Sequence, residues 1–191
     1  MKKLILFAAV ITALTTNTFA QSVWTADKAH SKVGFTITHL MITDVDGSFK
    51  NVEATITTPK DDFVNAVVEF SADAASVSTD NDQRDEHLRG ADFFDVTKYP
   101  KLSFKSTSVK KVAANKFKVS GNLTFHGVTK PVVLDAVLRG VTTNPMSKKL
   151  TAGFKVTGAI KRADFAFGTK YPAAMLSDEI TLTANTEFVK N

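Results

Sequence analysis

The amino-acid sequence predicts an all-β protein, an antiparallel sheet either closed into a barrel or folded into a sandwich, on two observations. Apolar and polar residues alternate through most of the chain, the two-residue period of a strand with one buried face. The chain also carries fifteen Phe against two Tyr and one Trp. Phe has no polar tip to place at a wet boundary, so these rings belong inside. One stretch breaks the pattern, "DQRDEHLRGADFFD" from Asp82 to Asp95, where dense charge gives way to Phe93-Phe94.

In chain order, residues 1–20 join a basic start at Lys2-Lys3 to an apolar run from Leu4 to Leu14 and a small, polar close at Ala20. That is the pattern of a secretory signal peptide, and the run is shorter than the ~20 residues of a membrane-spanning helix. Cleavage near Ala20 leaves residues 21–191 as one soluble domain, periplasmic or secreted. It removes two lysines and no acid, so the formal net charge falls from +5 to +3, too mild for a nucleic-acid binder. The chain has no Cys, which excludes both disulfides and a lipid-modified cysteine anchor.

Strands follow from the alternating positions. These are Val33, Phe35 and Ile37; Ala54 and Ile56; Ala66, Val68 and Phe70; Leu102 and Phe104; Phe117, Val119, Leu123 and Phe125; the run PVVLDAVLRG; Phe154, Val156 and Ile160; and Leu182, Ala184 and Phe188. Turn signals separate them at Asp46-Gly47, Ala113 to Lys116, His126-Gly127 and Thr143 to Ser147. About eight or more antiparallel strands result. An outer-membrane barrel alternates too, but it needs aromatic girdles for which this chain lacks Tyr and Trp. A soluble eight-stranded barrel either fills its interior or encloses one small apolar ligand.

The charged stretch reads as a short helix. Thr79 is a candidate N-cap, with Asp82 three residues on, and Gly90 suits a left-handed end. Asp85 and Arg89 are spaced to pair along its surface, while Arg84 and Leu88 share another face. Leu88 is its one strong apolar residue, so tertiary contacts through Leu88 and Phe93-Phe94 must hold so short a helix. It is either a solvated crossover or a cap over an apolar opening. Adjacent Asp85, Glu86 and His87 do not face one another on a helix, and no G-x-S-x-G, P-loop or H-E-x-x-H occurs, so no catalytic residues are assigned. His30, His39, His87 and His126 lack the spacing of familiar metal sites, and no metal is expected.

"AHSKVGFTITHL" (Ala29 to Leu40), Gly47-x-Phe49, "DQRDEHLRGADFFDVTKYPKLSFKS", "VSGNLTFHGVTKPV" and "KRADFAFG" resemble the YceI-like family in order and spacing across essentially all of residues 21–191. One departure is Phe165-Ala166-Phe167-Gly168, where an aromatic directly followed by Gly is expected. The resemblance implies a lipocalin-like antiparallel barrel of exported bacterial proteins, holding a long isoprenoid or related lipid in an internal tunnel. In that setting Arg84, Asp85, Leu88, Phe93 and Phe94 are the lid. Phe35, Phe49, Phe104, Phe125 and Phe154 are candidate walls, with further contacts near Phe165. His39, Arg84 and Arg162 are candidates for the polar end of the ligand, Arg for a phosphate or carboxylate and His for a quinone carbonyl.

These features describe binding without a catalytic cofactor, the bound group being an isoprenoid lipid or quinone, with transient membrane contact and an oligomeric state, dimer included, left open. Two other functions compete: a hydrolase-type enzyme on a small apolar substrate, and an envelope interaction protein with a filled barrel. A long apolar tunnel, a compact cleft of titratable groups, or a filled core discriminates the three.

Overall fold

The structure, a computed structural model, describes residues 21–191; the signal segment expected at residues 1–20 lies outside the described residues. The strands are β1 (Ser22–Ala26), β2 (Lys32–His39), β3 (Thr43–Phe49), β4 (Val52–Thr58), β5 (Val67–Asp73), β6 (Val77–Ser78), β7 (Lys101–Ala113), β8 (Lys116–Phe125), β9 (Val128–Thr143), β10 (Leu150–Lys161) and β11 (Leu176–Lys190), with helix α1 (Asp82–Arg89) between β6 and β7. The circuit β1-β4-β5-β7-β8-β9-β10-β11 closes through the pairs Trp24↔Lys190, Thr25↔Val189 and Ala26↔Phe188. This is a closed, eight-stranded antiparallel barrel with one short helix.

Eleven strands serve this eight-stranded circuit because two paths are bent. β1 and β2 both pair with β11, one with its end and one with its start, and a 3-10 turn at Lys28–His30 separates them. β3 and β4 continue one another in the same way, pairing with β2 and β1 across a break at Lys50-Asn51. The short β6 pairs with the end of β3.

Closure sends alternate side chains to opposite sides. Along β8, Phe117, Val119, Leu123 and Phe125 are buried while Lys116, Lys118 and Asn122 are exposed. The outer face carries cross-strand pairs Lys105–Glu69 (2.8 Å) and Lys118–Asp135 (2.7 Å). An apolar inside and a charged outside invert the pattern of a membrane barrel.

The expected turn at Asp46-Gly47 is instead the interior of β3, where Gly47 faces Phe35. A Cβ on Gly47 would lie 2.2 Å from the Phe35 ring, so the glycine makes room for an aromatic. His126-Gly127 does form a turn, with φ of 50° and 73° between paired Phe125 and Val128, the twist that a two-residue hairpin favours.

The bend between β1 and β2 is fastened by Asp27. Its Oδ1 accepts from the Ala29 N–H at 2.9 Å and its Oδ2 meets His30 Nδ1 at 2.8 Å. The hydrogen bond to Asp27 raises the His30 pKa, and the same bond followed by the Ala29 N–H lowers that of Asp27. The contribution of raised His30 is complete below its unfolded pKa and is lost as pH rises through its folded one. That of Asp27 is lost as pH falls through its depressed folded value, so the pair acts between the two. Asp27→Asn should bring His30 back towards ~6.5, read from the imidazole resonances in an NMR titration; an unchanged titration would refute the pairing.

Candidate functional site

The barrel is hollow. A cavity of about 530 Å³ runs inside it, lined by Val33, Phe35 and Ile37 of β2, Val45 and Phe49 of β3, Ala54 and Ile56 of β4, Val68 and Phe70 of β5, and Leu102, Phe104 and Val109 of β7. Phe117, Val119, Leu123 and Phe125 of β8, Val132, Leu134 and Ala136 of β9, Phe154, Val156 and Ile160 of β10, and Leu182, Ala184, Thr186 and Phe188 of β11 complete the wall. The volume lies within the ~300–1,000 Å³ of small-molecule sites. Wall residues from Phe117 to Phe125 extend over ~26 Å of strand, or ~20 Å along the axis after barrel tilt, so the space is long. Phe35, Phe49, Phe70, Leu134, Val156 and Leu182 are only half-buried although they line the interior. Their remaining surface faces the cavity.

One end is sealed by aromatics. Phe63, in the loop between β4 and β5, lies 5.2 Å from the Trp24 ring and 5.1 Å from Phe154, which in turn lies 6.0 Å from Phe188. Trp24 is fully buried beneath them, its indole N–H without an acceptor among the described residues.

The other end is closed by α1 and the segment after it. Leu88 faces the cavity, and so do Phe93 and Phe94. Phe94 packs at 4.9 Å on Phe167, 5.7 Å on Phe125 and 5.7 Å on Phe49, while Phe93 stacks on Tyr171 at 4.9 Å. The polar groups here are His39, Thr79, Arg84, His87 and Tyr171. Tyr171 Oη meets His87 Nε2 at 3.2 Å. Arg84 donates from Nε to Thr79 Oγ1 and from Nη2 to the Thr79 carbonyl, at 2.7 and 2.8 Å, keeping further N–H groups beside the cavity.

The structure thus brings together Phe35, His39, Phe49, Arg84, Leu88, Phe93, Phe94, Phe104, Phe125 and Phe154 around one space. Three expected site residues stand elsewhere. Arg162 is buried, and its guanidinium donates to the backbone carbonyls of Ser177, Phe167, Gly168, Tyr171 and Leu176; its donors are taken by protein, leaving none for a ligand head. Asp85 is the buried residue of α1, where Oδ1 accepts from the Thr79 N–H (2.8 Å) and hydroxyl (2.6 Å). Phe165 packs 5.4 Å from Phe125 on the side away from the cavity, and Phe167 lines the wall instead. Ala166 between them turns left-handed at φ 52°, which separates the two rings. Phe167 was not assigned as a candidate, although Phe167-Gly168 has the aromatic-Gly form expected here, the signal that could have found it.

The helix is capped differently from expectation. Asn81 is the N-cap, accepting from the Arg84 N–H at 2.9 Å, because Thr79 is occupied by Asp85 and Arg84. Arg89 meets Glu86 (3.4 Å), not Asp85, and donates to the Ala75 and Val77 carbonyls. Gly90 has φ −69°, so it is not a left-handed cap. Among wall residues, Phe63, Phe70, Phe117, Phe188, His87 and Tyr171 were not assigned as candidates. Phe70, Phe117 and Phe188 were already legible as inward positions, whereas His87 and Tyr171 depend on loop packing. Away from the cavity, Asp27, His30 and Glu187 bring potential ligand atoms within 4.8 Å of one another, an arrangement accounted for by the Asp27 bonds that fasten the bend.

The family model of the YceI-like domain matches residues 24–188. Protein YceI of Salmonella newport (strain SL254) is 37% identical over 195 residues, with 99% of this chain and 98% of that one covered. The crystal structure of the Campylobacter jejuni YCEI protein superposes with a TM-score of 0.74 at 40% identity, covering 86% of this chain and 96% of that one. Two more distant structures share the fold. They are Burkholderia cenocepacia BcnA (TM-score 0.77, 24% identity, 85% and 98% covered) and a polyisoprenoid binding domain from Saccharophagus degradans implicated in plant cell wall breakdown (0.68, 16%, 88% and 98%).

Arg162→Met should cost about 3–5 kcal/mol in denaturant unfolding, because it leaves buried carbonyls without donors. Arg162→Lys should recover only part, having three donors on a flexible stem. Unchanged stability in both variants would overturn the structural role of this arginine.

Proposed function

The chain belongs to the YceI-like family, and from the cavity its barrel encloses we propose that it binds one long apolar lipid, a polyisoprenoid, isoprenoid quinone or related amphiphile, for storage or transport. The carrying observation is the continuous apolar lining of a 530 Å³ space. A polyisoprenoid tail has no hydrogen-bonding atoms, so its affinity comes from apolar area removed from water, ~25 cal/mol per Å² before the costs of association. The polyisoprenoid binding domain that shares the fold supports this ligand class. A filled-barrel interaction protein does not fit a hollow interior.

In this reading the protein is not an enzyme. The polar groups at the lid end recognise a head: His39 and His87 suit a carbonyl or hydroxyl, and the unspent N–H groups of Arg84 suit a phosphate or carboxylate. The signal-like residues 1–20 support export of the carrier to the periplasm or outside the cell.

Organic extracts of the natively purified protein are expected to contain one enriched long-chain lipid by mass spectrometry. Its removal should lower the melting temperature, since a ligand bound to the folded state stabilises it by mass action. An extract with no enriched lipid, together with an unchanged melting temperature, would count against the carrier.

The lid gives a second test. Leu88→Asp removes the helix's apolar contact with the cavity; burial of a leucine corresponds to ~1.5–3 kcal/mol, so release of a fluorescent isoprenoid should accelerate about tenfold or more. The barrel should remain folded. Arg84→Ala should weaken phosphate-bearing lipids more than headless analogues of equal length. Release from Leu88→Asp at the wild-type rate would mean that α1 is only a wet crossover.

A further inference from the structure

Among the described residues, ten large hydrophobic side chains are exposed, and four of them, Leu40, Met41, Ile42 and Met175, gather at the lid end. Leu40, Met41 and Ile42 form the tip of the β2–β3 hairpin, closed by the pair His39↔Thr43. Met175 joins them through a backbone bond, Leu40 N–H to Met175 carbonyl at 2.9 Å. Met175 is both rim and wall, being exposed outside while also lining the cavity.

Neither folding nor solubility explains this tip. Leu40 and Met41 have φ of 51° and 60°, a region that Gly, Asn and Asp occupy far more readily. Ile42 is 80% exposed and Met41 60%. Turn-forming residues would relieve the backbone and keep apolar surface out of water. An exposed apolar cluster at the mouth of an apolar cavity marks an interaction surface.

We infer that the Leu40-Met41-Ile42 tip, with Met175, inserts into an electrically neutral lipid surface and sets the cavity mouth against it, so that a lipid passes between bilayer and barrel without crossing water. The inference rests on the reading of the cavity as a lipid site. Charge distribution selects the kind of surface. The adjoining run Tyr171 to Leu176 contains no charged residue, and Lys170 beside it is paired with Asp92. Behind the tip stand carboxylates: Asp44 and Asp46 on β3, accepting from Thr38 and Thr36, and Asp178 and Glu179 at the start of β11. These four acids outnumber Lys161, which faces Glu179 across the ladder, and the exposed Arg84 at the mouth; the balance opposes an anionic surface and leaves apolar insertion as the source of binding.

Flotation of the purified protein with phosphatidylcholine vesicles, with and without added phosphatidylglycerol, tests this. Wild type should float with neutral vesicles, no better with anionic ones, and Ile42→Asp should weaken neutral-vesicle binding about tenfold or more, the equivalent of withdrawing one buried aliphatic side chain. Met41→Gly, which also relieves the backbone, should weaken it while keeping or raising the melting temperature. In transfer from donor vesicles both variants should be slow, yet load normally with isoprenoid presented in cyclodextrin. Failure of wild type to float with neutral vesicles, flotation only with anionic ones, or flotation of Ile42→Asp equal to wild type would overturn the inference. So would a solution dimer that Ile42→Asp splits without any vesicle binding, since the tip would then be a contact between copies. Flotation lost in the variants while native extracts hold no lipid would uphold the surface and overturn the cavity reading alone.

Discussion

Closure of the hydrogen-bonded ladder between β1 and β11 is the constraint on which the rest of the molecule depends. A closed ring of eight strands has its width set by strand number and tilt. Whether the interior is full is then a question of side-chain volume. Here small wall residues such as Ala54, Ala136 and Ala184 stand among the phenylalanines of the lining. The ladder does not depend on what occupies the interior, because its backbone bonds run around the barrel and do not cross it.

The two kinds of polar bonding divide the labour. The wall is held by strand pairing, which must break over many residues at once. The lid end has irregular backbone, held by short-range backbone bonds such as Phe94 N–H to the Leu88 carbonyl and Phe167 N–H to the Arg162 carbonyl, to which side chains add theirs. Arg162 gathers carbonyls from residues 167 to 177, and Asp85 with Arg84 ties α1 to Thr79. Arg162 is buried and its removal leaves acceptors unpaired, so it fixes the rim. Arg84 and His87 are exposed and hold single partners that water can replace. Helix α1 is tied down further by Arg89, which donates to the Ala75 and Val77 carbonyls.

What the sequence made legible follows the same division. The alternating positions Val33, Phe35 and Ile37, or Phe117, Val119, Leu123 and Phe125, all line the interior, because a period of two leaves a strand only one way to present an apolar face. The bends that divide β1 from β2 and β3 from β4 were not legible, since a strand continues its pattern through them. Gly47 was misread for a related reason: glycine next to aspartate is the common sign of a turn, but here the Phe35 ring occupies the space a Cβ would take. Arg162, Asp85 and Phe165 were misplaced because their partners, five backbone carbonyls, Thr79 and the Phe125 ring, are brought to them by irregular segments, which no local period encodes. Phe93 and Phe94 stood out because paired rings beside dense charge must find cover somewhere.

The two ends of the barrel are consequently unlike, and this gives the cavity a direction. At the closed end Phe63, held left-handed at φ 60°, joins Trp24, Phe154 and Phe188 in one aromatic plug. Phe63 itself sits in a loop, but Trp24, Phe154 and Phe188 stand on β1, β10 and β11, strands of the closing ladder. At the lid end the corresponding rings, Phe93 and Phe94, belong to a short segment between α1 and β7 and are not part of the ladder. Displacing them costs aromatic contacts with Phe167, Phe125 and Tyr171 but breaks no strand pairing. An apolar chain entering beneath them can replace those contacts as they are lost. Three of the four plug rings thus belong to the ladder, whereas Phe93 and Phe94 do not, and this sets the two ends apart.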